Sequence, residues 1–262
     1  MNVPVTDHFT VDDAVEIYGL DRWGNGYFSI SAGGHLLVSP EREPRRGIDV
    51  FEIVQRLLGE GIKAPLLLRF PQLLAGQVRH LADSFRRAID EYQYPAGYQP
   101  VFPIKVNQHR TVVDGLLRAG WDDALGLEVG SRPELLAAAA LPMPPESLIV
   151  CNGFKDEDYL ASASLATRLG KRVVVVIEKP FELDPILALA ERGEVVPLIG
   201  FRLRLQSRGS GLWEKSGGIA SKFGLTTLQL VRALDRLESA GLGARVVLLH
   251  FHIGSQVTEI RK

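Results

Sequence analysis

Lys105 closes a short apolar run, Val101-Phe102-Pro103-Ile104, and leads into Val106-Asn107-Gln108. A turn signal, Tyr98-Gln99-Pro100, precedes the run. Thr111-Val112-Val113-Asp114-Gly115-Leu116-Leu117 follows it with helical spacing. The amine is therefore expected at the C-terminal end of a buried strand, just before a crossover helix. That end of the strands is where α/β proteins bind ligands. A partly desolvated lysine there loses its proton near neutral pH and attacks a carbonyl as a free amine. Taken alone, the same position also suits a lysine that keeps its ammonium in water, so the surrounding chain must decide. Other polar residues fall at strand ends too: Glu128, Asn152, Glu178, Arg202 or Arg204, and His252. Cys151 lies inside an apolar strand and reads as core rather than as a nucleophile.

The elements that would carry these groups follow a strand–helix rhythm. Strands are expected over 100–105, 124–128, 147–151, 172–178, 197–203 and 244–250. Helical stretches over 110–119, 132–140, 155–169, 182–191 and 226–240 separate them. Pro133-Glu134 after Ser131 is a helix start with proline near its first position. Apolar strands alternating with helices predict a parallel sheet buried on both faces. An open doubly wound sheet and a (β/α)8 barrel both give this rhythm. No glycine-rich dinucleotide loop follows the first strand, and polar residues come from the ends of many strands, as at a barrel mouth. The expected fold is an α/β, incomplete (β/α)8 TIM-type barrel with about six of its eight strands.

Upstream the pattern differs. A short helix is expected near residues 12–17. Gly24-Asn25-Gly26 and Gly33-Gly34 turn the chain around two strands, giving a β-hairpin over 26–39 that needs another sheet to join. Glu41 to Arg46 is a charged linker. A helix over 48–58, a strand-like run Pro65-Leu66-Leu67-Leu68-Arg69-Phe70, and a long amphipathic helix over 72–92 complete this part. The expected division is an N-terminal segment, 1–47, and a barrel, 48–262, that stops before strands seven and eight. The loop from Ser207 to Phe223 is glycine-rich and polar. It reads either as an exposed flexible loop or as a mobile segment that covers the site.

The totals exclude several classes. The chain has 262 residues, of which 46% are hydrophobic and 23% charged, as in an ordinary globular protein. A net charge of −1 gives no electrostatic reason to expect nucleic acid or an acidic membrane surface. The single cysteine excludes an intrachain disulfide and a cysteine-rich zinc site, and fits a reducing compartment. No apolar run reaches the roughly 18 residues of a membrane span, and the N-terminus lacks the apolar core of a signal peptide. A cytoplasmic protein is expected.

Several stretches, in order, carry a resemblance. They include Tyr18-Gly19-Leu20-Asp21-Arg22-Trp23-Gly24-Asn25-Gly26-Tyr27-Phe28, Pro65 to Pro71, and Pro103-Ile104-Lys105-Val106-Asn107-Gln108. Gly126-Leu127-Glu128-Val129-Gly130-Ser131-Arg132-Pro133-Glu134 and Cys151-Asn152-Gly153-Phe154-Lys155-Asp156 follow. Gly209-Ser210-Gly211, Ser216-Gly217-Gly218, Ser221-Lys222-Phe223-Gly224 and His250-Phe251-His252-Ile253-Gly254-Ser255-Gln256 complete the set. From about residue 18 onward the chain resembles the biosynthetic arginine decarboxylases of the alanine-racemase-like, barrel-type pyridoxal 5'-phosphate (PLP) family.

The resemblance implies roles. Lys105 matches the Schiff-base lysine that holds PLP, His252 the histidine stacked on the pyridine ring, and Ser255 the serine near the phosphate. Glu128 and Glu134 match acidic positions near the lysine, where a carboxylate biases protonation. His250 and His252 alternate along the last strand, and one of the two is expected to face the barrel interior. Period alone does not choose between them; the resemblance chooses His252. Asn152 and Glu178 are expected to support these residues from behind.

The implied reaction is PLP-dependent decarboxylation of L-arginine to agmatine and CO2, the first step of a polyamine (putrescine and spermidine) pathway, in the full-length form. No metal ligands are identified, and Mg2+ enters as a further cofactor only through the resemblance. A homo-oligomer is implied for the full-length form. In the family, the glycine-rich phosphate loop follows strand seven. The carboxylate that pairs with the pyridine nitrogen lies at strand eight, and a C-terminal β-domain contributes substrate residues across a dimer interface. None of these is found here. The hairpin over 26–39 is therefore expected to belong to a missing β-domain, and residues 1–262 alone are expected to be inactive. Two alternatives remain: a non-catalytic PLP-binding paralogue or fragment that acts as a carrier or regulatory partner, and a Schiff-base aldolase barrel.

Overall fold

The computed structural model describes residues 9–205 and 223–253. The chain forms two compact units, one up to Ser84 and one from Phe85 onward.

The first unit begins with helix α1 (Val11–Tyr18). Thr10 caps it: its side chain accepts from Asp13 N, and Asp13 accepts in return from Thr10 N. Gly19, with φ of 61°, ends it in the left-handed conformation and opens the single turn α2 (Leu20–Trp23). Strands β1 (Phe28–Ile30) and β2 (Leu36–Val38) pair antiparallel, so the expected hairpin is present. It is more than a hairpin, however. Ile48–Asp49 adds as a third antiparallel strand, β3, before Asp49 caps helix α3 (Val50–Gly59). Apolar periodicity hid this strand, because Ile48 also fits the helical spacing that begins at Val50. The run Pro65–Phe70 is not a strand. It is a nearly continuous apolar run with no pairing partner among the described residues, and apolar residues without a ladder do not make a strand. Helix α4 (Pro71–Glu91) follows with proline at its first position, where the missing N–H costs nothing.

The second unit carries six parallel strands: β4 (Val101–Pro103), β5 (Gly126–Val129), β6 (Leu148–Cys151), β7 (Arg172–Ile177), β8 (Leu198–Arg202) and β9 (Val246–His250). Helices α5 (Arg110–Ala119), α6 (Arg132–Ala139), α7 (Glu157–Arg168), α8 (Leu183–Glu191) and α9 (Thr227–Ser239) connect them in turn. Spatial order equals chain order, β4 to β9, and every neighbouring pair is parallel. A doubly wound sheet reverses direction at a switch point. No reversal occurs here, so the sheet is an arc of a (β/α) barrel that β4 and β9 leave open among the described residues.

Burial grades along this arc. In β7 the run Val173-Val174-Val175-Val176-Ile177 is at most 1% exposed, because strands and helices cover both faces. In β9 the pattern alternates, with Val247 and Leu249 more than half exposed. The core between sheet and helices includes Leu127, Leu135, Ile149, Leu160, Ile186, Leu189, Ile199, Phe201 and Leu237. Burying each such side chain stabilises by roughly 1.5–3 kcal/mol relative to exposure. No helix among the described residues is long and apolar enough to cross a membrane.

Candidate active site at the mouth of the sheet

The C-terminal ends of the six strands converge on a cavity of about 650 Å³. Its wall includes Lys105, Glu128, Glu134, Asn152, Glu178, Arg202, Phe223, His250 and His252. The structure thus brings together Lys105, Glu128, Glu134 and His252 from four separate positions of the sequence. Ser255 and the loop over 206–222 lie outside the described residues.

Lys105 sits on a tight turn, Ile104–Val106, one step beyond β4. Ile104 is buried and anchors the turn, while the Lys105 side chain is 67% exposed. The expected partial desolvation is absent among the described residues: the amine stands in an open mouth. Its Nζ lies 3.8 Å from Oε1 of Glu128, which projects from β5 and is mostly buried.

The strand ends are held by carboxylates. Glu134, in the first turn of α6, accepts from Gly130 N at 2.6 Å and from Gln108 Nε2 at 2.9 Å. It thereby links the loop after β4 to the loop after β5. Glu182 repeats the device one layer on, its Oε2 accepting from Glu178 N at 2.7 Å and Lys179 N at 3.2 Å. Glu178 accepts from Gly153 N at 3.1 Å and from Arg202 NH1 at 2.5 Å. Gly153 must be glycine: its φ is 78°, and a Cβ there would lie 2.3 Å from Gly130 O. Beneath this layer the Tyr159 hydroxyl donates to Val129 O at 3.2 Å, which fixes α7 against the end of β5.

His250 and His252 both line the cavity, which overturns the expectation that one of the pair would face away. Residues two apart on a strand share a face, and alternation separates only odd from even positions. Val247 and Leu249 point the other way and are exposed. Burial, reinforced by the Arg202 charge, pushes the His250 imidazolium below the usual histidine range, while Glu128 and Glu178 oppose the shift. Burial pushes the Cys151 thiol up to about 12, so it is core, as its apolar strand implies.

Sequence reasoning placed Asn152 and Glu178 correctly near the site but missed what binds them together. In the sequence Lys155 opens an expected helix and belongs to a motif of the resemblance, with no partner assigned to it. It is buried, and it joins Glu178 and Glu182. The usable signal was the run Glu178-Lys179-Pro180-Phe181-Glu182 directly after a wholly apolar strand. Carboxylates there need a cation.

The cavity fits a flat, polar, carbonyl-bearing cofactor such as pyridoxal phosphate. An accessible primary amine faces it, two imidazoles line one wall, and its volume exceeds that of a single aromatic ring. Asn152 Oδ1 and His250 Nδ1 are buried without a hydrogen-bond partner among the described residues, which leaves them available to polar atoms of a ligand. Among the described residues no group of His, Cys, Asp and Glu could hold a metal ion.

Comparison with known proteins gives the same site a lineage. The family described as pyridoxal-dependent decarboxylase, pyridoxal binding domain, matches residues 77–262. Biosynthetic arginine decarboxylases of Rhodopirellula baltica and Deinococcus radiodurans are 47% and 45% identical over 100% and 99% of this chain, which covers 39% of each. The crystal structure of the biosynthetic arginine decarboxylase of Campylobacter jejuni superposes with a TM-score of 0.81 at 36% identity, over 93% of this chain and 39% of that one. A diaminopimelate decarboxylase from M. jannaschi shares the fold, with a TM-score of 0.66 at 23% identity over 90% of this chain and 50% of that one. The chain therefore spans about two-fifths of the length of the arginine decarboxylases it matches.

Proposed function

We propose, for a chain that belongs to the pyridoxal-dependent decarboxylases through their pyridoxal-binding domain, that the full-length protein converts L-arginine to agmatine and CO2. One observation carries this reading: the Lys105 amine is accessible in a strand-end cavity, 3.8 Å from the Glu128 carboxylate. The names of the relatives support arginine as the substrate. Formation of agmatine makes the reaction an entry step to polyamines.

When bound, PLP supplies the electron sink for the carbon–carboxylate bond that breaks. The chain's own residues bind, orient and move protons. Lys105 Nζ, accessible at the mouth, would hold the cofactor. Glu128 Oε1, 3.8 Å from that amine, would pair with it and orient it toward the ligand. His252, which lines the cavity, would pack its ring against the bound cofactor. Glu134, fixed by Gln108 and Gly130, keeps the loop after β5 at the right distance. Ser255 completes the phosphate contact on this reading. The two unpaired atoms, Asn152 Oδ1 and His250 Nδ1, are available to orient polar groups of the ligand.

We also propose a homo-oligomer, since family members complete the site across a dimer interface, and a cytoplasmic location, since the one cysteine is free and buried. The test of the central reading is borohydride trapping of the full-length protein with PLP, followed by peptide mapping and an assay of arginine-dependent CO2 release. A pyridoxyl group on Lys105 and CO2 release are expected. A pyridoxyl group on Lys155 or Lys222 would sink the assignment of the amine. Trapping at Lys105 without CO2 release would make the protein a PLP carrier.

A further inference from the structure

Behind the cavity wall lie two charged residues without a role in the reaction above, Lys155 and Glu182, joined to Glu178 and Arg202, which line the cavity. The Lys155 side chain is 1% exposed. Its Nζ donates to Gly153 O at 2.5 Å and stands 3.5 Å from Glu182 and 4.0 Å from Glu178. Both carboxylates are buried, with 2% and 4% of their side chains exposed. Glu178 holds Arg202, whose guanidinium reaches the cavity wall. Two carboxylates and two cations thus form a quartet of balanced formal charge, buried except at Arg202.

We propose that Lys155 is a positioning residue: it balances Glu182 so that Glu178 can hold Arg202 and the Gly153 amide in place at the cavity wall. The inference rests on the reading of this cavity as the PLP site.

The argument is one of charge and geometry. An unpaired buried charge is costly, and removing one partner of a buried pair leaves that cost in full. Of the two carboxylates, Glu178 has a second cation, Arg202, at 2.5 Å and a third contact at Gly153 N. Among the described residues Glu182 pairs with one cation, Lys155, and accepts from the amides of Glu178 and Lys179. Without Lys155, Glu182 is therefore the uncompensated group. When ionised it repels Glu178 and loosens the hold on Arg202; when protonated it leaves Glu178 and Arg202 as a balanced pair. Lys179, beside Glu178, turns its ammonium toward the Phe181 and Phe223 rings, and the other titratable groups near Lys155 and Glu178 include Cys151, Tyr159 and His250. Burial holds the Cys151 thiol and the Tyr159 phenol in their neutral forms and disfavours the His250 cation, so none of them replaces the lost charge. Burial likewise pulls the Lys155 ammonium below the usual lysine range, with Glu182 and then Glu178 opposing the shift without cancelling it.

The test uses the full-length protein and measures PLP affinity between about pH 6 and pH 8.5 in wild type, Lys155→Met, and the double variant Lys155→Met with Glu182→Gln. Methionine keeps the volume of the buried stem. In Lys155→Met, affinity is expected to fall roughly tenfold or more at the alkaline end and to recover toward wild type at the acid end, as the buried carboxyl takes up a proton. The double variant is expected to stay within about threefold of wild type across the range, because neutrality is restored. A purely packing role predicts the opposite, with two lesions worse than one and no dependence on pH. A single variant with wild-type affinity, or a double variant no better than the single, overturns the proposal. If Lys155→Met fails to fold, a soluble double variant with near-native affinity supports it, and an equally defective double variant overturns it. Wild type that takes up no PLP would instead overturn the reading of the cavity and leave the cluster without a ligand to position.

Discussion

Two lysines lie within the same set of strand ends and have opposite environments. Lys105 sits on a turn at the open mouth, 67% exposed, with one carboxylate at 3.8 Å. Lys155 sits behind the wall, 1% exposed, with two carboxylates within 4.0 Å and a carbonyl at 2.5 Å. The difference lies in what each amine can give up. Lys105 has little to lose when it bonds to a ligand, since water can solvate the remaining groups. Lys155 cannot leave its partners without exposing Glu182 to a low-dielectric interior unpaired. A lysine close to a cavity is therefore not automatically a nucleophile; accessibility and the number of buried anions that depend on it decide.

The sharpest way to break this comparison is Lys105→Ala. Activity should fall by three orders of magnitude or more, roughly the scale seen when a covalent group is removed. Borohydride should then trap no cofactor, because Lys155 cannot reach the mouth. Trapping on Lys155 in this variant, read by peptide mapping, would show that the buried cluster opens and that the contrast drawn here is false.

A smaller effect is expected from His252→Ala. Loss of an aromatic stacking partner costs about 0.5–1.5 kcal/mol, or up to roughly tenfold in PLP retention. Dialysis against PLP-free buffer, followed by absorbance, measures it. His250→Ala should retain PLP better than His252→Ala. The reverse order would mean that the two rings, which line one cavity from the end of β9 and just beyond it, exchange roles.

Much of this arrangement was legible in the sequence. The continuous Val173–Ile177 run announces a strand buried on both faces, and it is. Helix α5 begins and ends where its apolar spacing does, at Arg110 and Ala119. Lys105 and Glu128 fall at strand ends because the apolar runs that precede them stop there. What stayed hidden depends on contacts across many residues. Lys155 meets Glu182 from 27 residues away, and Gln108 meets Glu134 from 26 away. No local period encodes such pairs. The third strand of the small sheet was hidden for another reason. It is two residues long, Ile48–Asp49, and its second residue also caps α3, so helical and strand signals overlap on the same positions. The two histidines were misjudged because a period of two was applied as if it separated i from i+2.

The smallest expected effect concerns His250, which stands between the open mouth and the sealed cluster. Its Nδ1 is buried without a partner, and Arg202 lies close enough to disfavour its cation. Burial, the larger cause, and that charge together hold its pKa below the unfolded value of about 6.5. The sign follows from proton counting. Above about pH 6.5 neither the folded nor the unfolded chain carries the proton on this residue, so stability does not depend on it. As pH falls below that value the unfolded chain binds the proton first, and unfolding becomes more favourable. The stability associated with neutral His250 is thus present above the unfolded pKa and lost as pH falls through the folded one. His250→Gln keeps a polar side chain of similar reach and removes the titration. Urea unfolding of the full-length protein at about pH 7.5 and pH 5.5 should then show a smaller acid loss in the variant than in wild type. Equal losses in the two proteins would mean that His250 is hydrated in solution as freely as Lys105, and that the cavity wall at β9 belongs with the mouth rather than with the buried floor.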